Sequence, residues 1–344
     1  MNYLAILATL AAAGRSKGSA AEIATARPGA RPRRLPAARG TRAATQRRRR
    51  AEDDDYARSG VLTYNILDGG WSDCGRGPRL AVDDDGHASG PLADYVLSAV
   101  APYHDVVAFQ ELKNWSEDDM RRVARAFNYS ASYLCRNCDI YHVGFMARAE
   151  IEVLEDISTA GHGAIAARID GVVYVNFHLT PVADSIGREF RTAQADSVVE
   201  DIVSKYADEP LLLMGDTNNP SPLDAARYND TLVCAGANHY CMDGAINYKP
   251  IQRLLDAGMR DLCWYSYSPA SASNSPMSYN ACSNSCATAL RSPGDSAAAK
   301  IDYIFGNDRF LEEFGVVHSR VQINQQTDQA SDHYPVELTF TPIL

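Results

Sequence analysis

The chain reads as an α/β protein whose polar chemistry sits at the ends of its strands. Three observations predict this. Short apolar runs alternate with stretches of helical spacing. Several of those runs end in Asn, Asp, Glu or His. The 344 residues, 46% of them hydrophobic, suffice for a sizeable core, as one large domain or two small ones.

The run that organises the rest is 211–219, LLLMGDTNN. Four apolar residues after a Pro predict a short strand buried on both faces. Gly215 lets the chain turn, and Asp216 and Asn218 follow at once. A carboxylate and a carboxamide at the mouth of a buried strand cost free energy unless they are partnered. Loops held by rigid strands are where catalytic groups usually sit.

The other elements follow in order. Residues 61–66, VLTYNI, predict a strand with Asn65 near its end. A Gly- and Asp-rich loop fills 67–91; Asp83, Asp84 and Asp85 in it read as a solvated turn, since the spacing and terminal Glu of an EF-hand are missing. Leu92, Val96 and Val100 give 91–100 a helical spacing. The run DVVAF at 105–109 predicts a strand leading into Gln110 and Glu111. Ser116 caps a helix to about Phe127, with Asp118 and Asp119 in its first turn. Residues 130–178 read as a β-meander with Gly turns that ends on His178.

A long helix is expected over 186–206, with Phe190, Ala193, Val198 (or Val199) and Ile202 facing the core and Arg191 in its early turns. Residues 246–258 predict a helix closed by Gly258. The Ser-, Ala- and Asn-rich stretch 265–299 predicts a long loop, functional or disordered. Residues 301–305, IDYIF, form a strand interrupted by Asp302, and 316–321 is a further candidate. Ser331, Asp332 and His333 precede the closing strand 335–340.

Charge divides the chain. Residues 1–50 hold twelve of its 33 Lys/Arg and one of its 43 acids, so 51–344 carries 21 basic and 42 acidic residues, a net −21. Such a body repels polyanions at long range and disfavours loose duplex binding. A divalent metal would offset part of that repulsion. Residues 3–13, YLAILATLAAA, resemble the apolar core of a signal peptide and are too short to span a bilayer. Residues 14–50 are Arg-, Ala- and Pro-rich and cannot build a core. The segment 1–50 is therefore read as a basic, disordered targeting or pro-segment, and 51–344 as the folded body. A secreted or secretory-lumen location is expected; the alternative is an organelle reached by a signal plus a transit peptide.

All eight cysteines lie in the body: Cys74, Cys135, Cys138, Cys234, Cys241, Cys263, Cys282 and Cys286. An even count with close pairs suits disulfides in an oxidising compartment. Zinc at Cys135 and Cys138 is the rival, but no second CxxC or HxxxH follows at a suitable distance. Pairing stays open; Cys234–Cys241 and Cys282–Cys286 are the nearest neighbours in sequence.

Five polar clusters thus mark strand ends: Asn65; Glu111; His178; Asp216 with Asn218; and Asp302 with Asp332 and His333. If the strands pack as two sheets, these ends converge on one edge, and the inventory suits phosphoester hydrolysis. Glu111 offers oxygen to a hard cation such as Mg²⁺, which neutralises phosphate charge. Asp216 orients or deprotonates the attacking water. His178 and His333 donate to phosphoryl oxygens or shuttle a proton, the latter held by Asp302. Asn65 and Asn218 position metal, water or phosphate without adding charge.

The ordered series TYNI, FQE, NFHLTP, MGDTN, KIDYIF and SDHYPV resembles the endonuclease/exonuclease/phosphatase superfamily, the deoxyribonuclease-I-like proteins, from about Val61 to Phe340. The resemblance implies a four-layer α/β sandwich, two mixed sheets face to face with helices outside. It implies Mg²⁺- or Mn²⁺-dependent cleavage. It assigns Asn65, Glu111 and Asp332 to the metal, His178 to the phosphate, Asp216 and Asn218 to the nucleophile, and Asp302 to His333. Arg191 with Gln194 looks like the family's Arg–Gln pair, which gives Arg191 a substrate-binding role. Thr217 stands where the family often has Phe or Leu, and is expected to face away from the chemistry. The WCDR motif of inositol 5-phosphatases is absent, and 110–113 reads QELK rather than the QETK of abasic-site endonucleases. A phosphodiesterase or nuclease is the first reading and a sphingomyelinase-like phospholipid phosphodiesterase the second. A catalytically inactive binding module of the same fold is the reading from another class. A monomer with no obligate protein partner is expected.

Overall fold

The computed structural model describes residues 58–70, 80–138, 141–158, 162–181, 185–230, 234, 240–266 and 299–343. The expectations for the basic arm 1–50, for Cys74, for a Cys282–Cys286 pair and for nearly all of the 265–299 loop lie outside them. Among the described residues no helix is long and apolar enough to cross a membrane.

The strands in chain order are β1 (Ser59–Asn65), β2 (Ala81–Val82), β3 (Ala88–Ser89), β4 (Val106–Lys113), β5 (Ala131–Leu134), β6 (Tyr141–Ala147), β7 (Glu152–Ile157), β8 (Ala164–Ile169), β9 (Val172–His178), β10 (Leu211–Asp216), β11 (Cys241–Met242), β12 (Ala245–Ile246), β13 (Arg260–Asp261), β14 (Asp302–Gly306), β15 (Phe314–Val321) and β16 (Val336–Pro342). Two six-stranded sheets result, ordered β15-β16-β1-β4-β6-β5 and β13-β14-β10-β9-β8-β7. Both are mixed. Each holds one parallel pair at its centre, β1 with β4 and β9 with β10, among antiparallel neighbours.

The apolar runs read as they do because these strands are covered on both faces. Alternate residues of β10 divide between two cores: Leu212 and Met214 pack between the sheets, while Leu211 and Leu213 face the helices outside. In β1, Val61 points between the sheets and Leu62 and Tyr64 point outward. The inter-sheet core joins Val61, Ala108, Phe145 and Leu338 of one sheet to Ile165, Tyr174, Leu212 and Ile304 of the other. One outer layer holds Leu92, Val96, Met120 and Val123, and the other holds Ala195, Val198, Ile202, Ile251 and Leu254. This is the four-layer sandwich that the motif series implied.

The structure corrects two expectations of the sequence. Residues 130–178 are not one meander: β5 and β6 belong to the first sheet and β7, β8 and β9 to the second. Short connections hide such a crossover from periodicity. In the helix Ser185–Val198, Ala193 is exposed and Phe190 only half-buried; Arg191, Gln194, Ala195 and Val198 form the inner stripe. That stripe opens with polar residues because it covers loop backbone rather than a sheet face. The expected disulfides are present: Cys135 is joined to Cys138, which sets the zinc rival aside, and Cys234 to Cys241. Cys263 is a buried free thiol.

The Ser116 cap formed as expected, its Oγ accepting from the Asp119 N–H at 3.1 Å. Two short helices, Asp308–Glu313 and Gln325–Ala330, were not foreseen. Each is capped by an Asn and is too short to display a period.

Candidate active site

Register brings the site together. Asp216 lies opposite His178 in the parallel pair β9–β10 and opposite Asp302 in the antiparallel pair β10–β14. Three of the expected residues are thus level with one another on adjacent strands. In the facing sheet, Asn65 ends β1 opposite Gln110 of β4. A buried bridge locks the two sheets at this level: Gln110 Nε2 donates to Asn176 Oδ1 at 2.7 Å and to Thr63 Oγ at 2.9 Å. Asn176 Nδ2 donates in turn to the carbonyls of Phe109 and Gly144.

Three backbone features aim the side chains. Gly215 has φ of 152°, and a Cβ there would lie 1.9 Å from the Phe177 carbonyl oxygen, so no other residue fits. Glu111 sits in a bulge of β4 between Phe109 and Leu112 with φ of 58°. The bulge turns its carboxylate toward Asn65, a strained conformation of the kind found at ligand sites. Asn218 takes φ of 48°, which Asn tolerates well. Thr217 is turned away, its Oγ donating to the Ile301 and Asn219 carbonyls, as expected.

The side chains form one connected network. Asn65 Nδ2 donates to Glu111 Oε1 at 3.1 Å and to Asp216 Oδ2 at 3.0 Å. The Asn218 N–H donates to Asp216 Oδ1 at 2.7 Å, and its Nδ2 lies 3.1 Å from His178 Nε2. His178 Nε2 is 3.3 Å and His333 Nε2 is 3.8 Å from Asp216 Oδ2, so one carboxylate oxygen faces both imidazoles. His333 Nδ1 meets Asp302 Oδ2 at 2.9 Å.

Burial alone would raise the Asp216 carboxyl. Charged His333, the His178 bond and the Asn218 N–H outweigh it and bring the pKa down to about 2. Burial opposes charge on His333 too, but the carboxylates of Asp302 and Asp216 raise its pKa well above the ordinary value. The pair Asp302–His333 is therefore ionic.

The network unites Asn65, Glu111, His178, Asp216, Asn218, Asp302 and His333. Two expected residues take other places. Asp332 is half-buried beside Ser331, whose Oγ lies 3.4 Å from its carboxylate. Arg191 was expected to bind substrate, but its side chain is wholly buried. Its Nε donates to Asn219 Oδ1 at 2.6 Å and its Nη1 to the Thr180 carbonyl at 2.9 Å. It ties the loops after β9 and β10 together from behind, and Gln194 accepts from the Thr180 N–H at 2.9 Å. The Arg–Gln pattern was legible in sequence, but which way the helix turned was not.

Several residues escaped the sequence reading. Ser331 Oγ donates to the Asn65 carbonyl at 2.7 Å and accepts from the His333 N–H, joining β1 to the last motif. The Asp68 N–H donates to Glu111 Oε2 at 3.0 Å, and Lys113 Nζ bonds Asp68 Oδ1 at 2.8 Å. His162, in the sequence GHG, stacks on His178. Burial, with His178 alongside, lowers its pKa to about 3, so it stays neutral.

The donor set fits a hard divalent cation. Glu111 and Asp216 both accept from the single amide nitrogen of Asn65, so their carboxylates lie side by side; donor atoms of Asp216, Asp302 and His333 also cluster within 4.8 Å, but protonated His333 offers no lone pair. Paired carboxylate oxygens of this kind suit a hard divalent cation rather than a soft metal. A second group, Asp83, Asp85 and His87, is an exposed turn.

A carboxylate–imidazole cluster at one edge of two facing mixed sheets defines the class: an α/β sandwich built like the phosphoester hydrolases. The chain belongs to the endonuclease/exonuclease/phosphatase family, whose sequence model matches residues 62–333. No curated protein sequence matches it significantly. Its fold is similar to that of an endonuclease/exonuclease/phosphatase from Beutenbergia cavernae, at 17% identity and TM-score 0.57, over 83% of this chain and 72% of that one. It is also similar to the 3′ phosphatase NExo from Neisseria, bound to a product DNA hairpin, at 16% identity and TM-score 0.56, over 81% and 98%. A third similar structure is TDP2 from D. rerio with a single-stranded DNA product, at 17% identity and TM-score 0.53, over 83% and 99%.

Proposed function

We propose that this protein is a metal-dependent phosphoester hydrolase, most simply a phosphodiesterase or nuclease. The carrying observation is the shared carboxylate oxygen of Asp216, faced by His178 at 3.3 Å and by His333 at 3.8 Å. A reacting phosphoryl group beside it would meet an ionised carboxylate and two imidazoles.

A bound Mg²⁺ or Mn²⁺ would neutralise phosphate charge and polarise the P–O bond, and Glu111, Asn65 and Asp332 would hold it. Asp216, ionised at neutral pH, accepts a hydrogen bond from the attacking water and orients it. With so low a pKa it is a weak base, so its larger contribution is alignment. His333, kept cationic by Asp302, donates to a phosphoryl oxygen as negative charge grows there. His178, whose Nε2 points at the Asp216 carboxylate, donates from that nitrogen to a second phosphoryl oxygen. Arg191 serves this reading as a buried brace for the loops rather than as a substrate contact.

The DNA products in two of the similar structures favour a nucleic acid. The net −21 of residues 51–344 disfavours long duplexes and leaves a sphingomyelinase-like reading as the alternative. An inactive binding module is disfavoured because the acid, imidazole and amide groups are all in place. The Cys135–Cys138 and Cys234–Cys241 disulfides support a secretory location.

The test is a panel with the purified protein: plasmid DNA, single-stranded RNA, sphingomyelin and bis-p-nitrophenyl phosphate, each with Mg²⁺, with Mn²⁺ and with chelator. Metal-dependent turnover that is lost in Asp216→Asn and in His333→Ala, with folding retained, supports the reading. Wild-type turnover in both variants would overturn these roles.

A further inference from the structure

The two imidazoles facing Asp216 are held by different means. His333 is oriented through Nδ1, which meets Asp302 at 2.9 Å. His178 lacks such a brace: its Nδ1 is buried with no hydrogen-bond partner among the described residues. Only its Nε2 edge is engaged, by Asn218 and Asp216. A ring bonded at one edge keeps its plane only if something packs on its face.

That something is His162. The two ring centroids are 4.5 Å apart and their planes differ by 17°. Tyr141 meets His162 edge-on, at 5.2 Å and 83°. The next residue, Gly163, is pinned on two sides. Its carbonyl accepts the His178 N–H at 3.3 Å. A Cβ on it would lie 2.2 Å from Cys138 Sγ and 3.3 Å from Cys135 Sγ, so the disulfide lies flush against its backbone. Separate parts of the chain thus converge to hold one ring face.

We propose that His162 is a positioning residue for His178, setting through its ring face the plane in which His178 presents Nε2. Nδ1 of His162 is enclosed without a partner among the described residues, so it is the ring face that meets His178. The proposal rests on the hydrolase reading above, in which His178 must hold its angle to the phosphoryl group, and misplacement by about 1 Å costs on the order of 10²-fold in rate.

The test compares His162→Phe with His162→Ala in the full chain, using bis-p-nitrophenyl phosphate and Mg²⁺. His162→Phe is expected to keep kcat within about threefold, and His162→Ala to lower it about 10- to 100-fold with KM nearly unchanged. Equal losses in both variants, an unaffected Ala variant, or a loss confined to KM would each overturn the proposal. Imidazole ¹⁵N–¹H spectra decide it independently of turnover. His178 should give one sharp set of ring resonances in wild type and His162→Phe, and broadened or doubled ones in His162→Ala. A single sharp set in His162→Ala would overturn it. If wild type hydrolyses nothing in the panel, the hydrolase reading falls while these spectra still report on the stack.

Discussion

Asp302 stands directly across from Asp216 in the antiparallel pair of β10 and β14, and one imidazole, that of His333, lies against both carboxylates. Two like charges at neighbouring register positions repel unless a cation lies between them. His333 fills that place, 2.9 Å from the one and 3.8 Å from the other.

Replacing Asp302 with Asn removes the charge that keeps His333 protonated. The variant should fold, since the amide still accepts from Nδ1. Its kcat should fall by about 10²-fold or more, the usual scale of acid–base assistance. Steady-state kinetics on an activated phosphodiester, with circular dichroism as the folding control, measure this.

Gly215→Ala tests the strand that delivers Asp216. A Cβ would overlap the Phe177 carbonyl oxygen at 1.9 Å, in a backbone region that L-residues rarely adopt. A loss of at least about 2 kcal/mol is expected from overpacking and strain, read from urea unfolding, with activity lost as Asp216 moves.

Arg191→Lys separates bracing from substrate contact. Lysine cannot reproduce the two-directional grip on Asn219 and Thr180. Losing one of these charge-assisted hydrogen bonds should cost about 2 kcal/mol, seen as a lower Tm. A raised KM at unchanged Tm would instead indicate that Arg191 touches substrate.

Acid stability should depend on Glu337, which lies outside the Asp216 network. Its carboxylate bonds His104 at 3.3 Å and His318 at 3.0 Å, and also Arg320. Burial would raise its pKa, but the bonds from His104, Gln322 and Arg320 outweigh that and lower it from 4.5 to about 2. A depressed carboxyl stabilises the fold above its unfolded pKa, and that contribution is lost as pH falls from about 4.5 toward 2. Glu337→Gln should therefore be less stable at pH 6 and lose less stability on acidification. Thermal melts of both proteins between these limits are the measurement.

Much of this was legible before any coordinates. The runs LLLM and VVAF are apolar at every position because both faces of each strand are covered, and that composition survives in one dimension. Asn65, Glu111, His178, Asp216 and His333 were visible as polar breaks at strand ends, a signal local to each segment. The helical spacing of 91–100, the Ser116 cap and Gly258 were likewise local. The orientation of Arg191 was not, because Arg191 and Ala193 differ by two positions on a helix whose rotation is set by what it covers.

The sequence by itself determined the central strands β1, β4, β9, β10 and β14, their burial on both faces and the polar groups at their ends, because composition acts within a few residues. Only the tertiary structure decided that β5 and β6 part from β7, β8 and β9, that Asp216 falls level with both His178 and Asp302, and that His162 lies on His178. Register and sheet choice depend on contacts between residues far apart in the chain, and no local pattern encodes those.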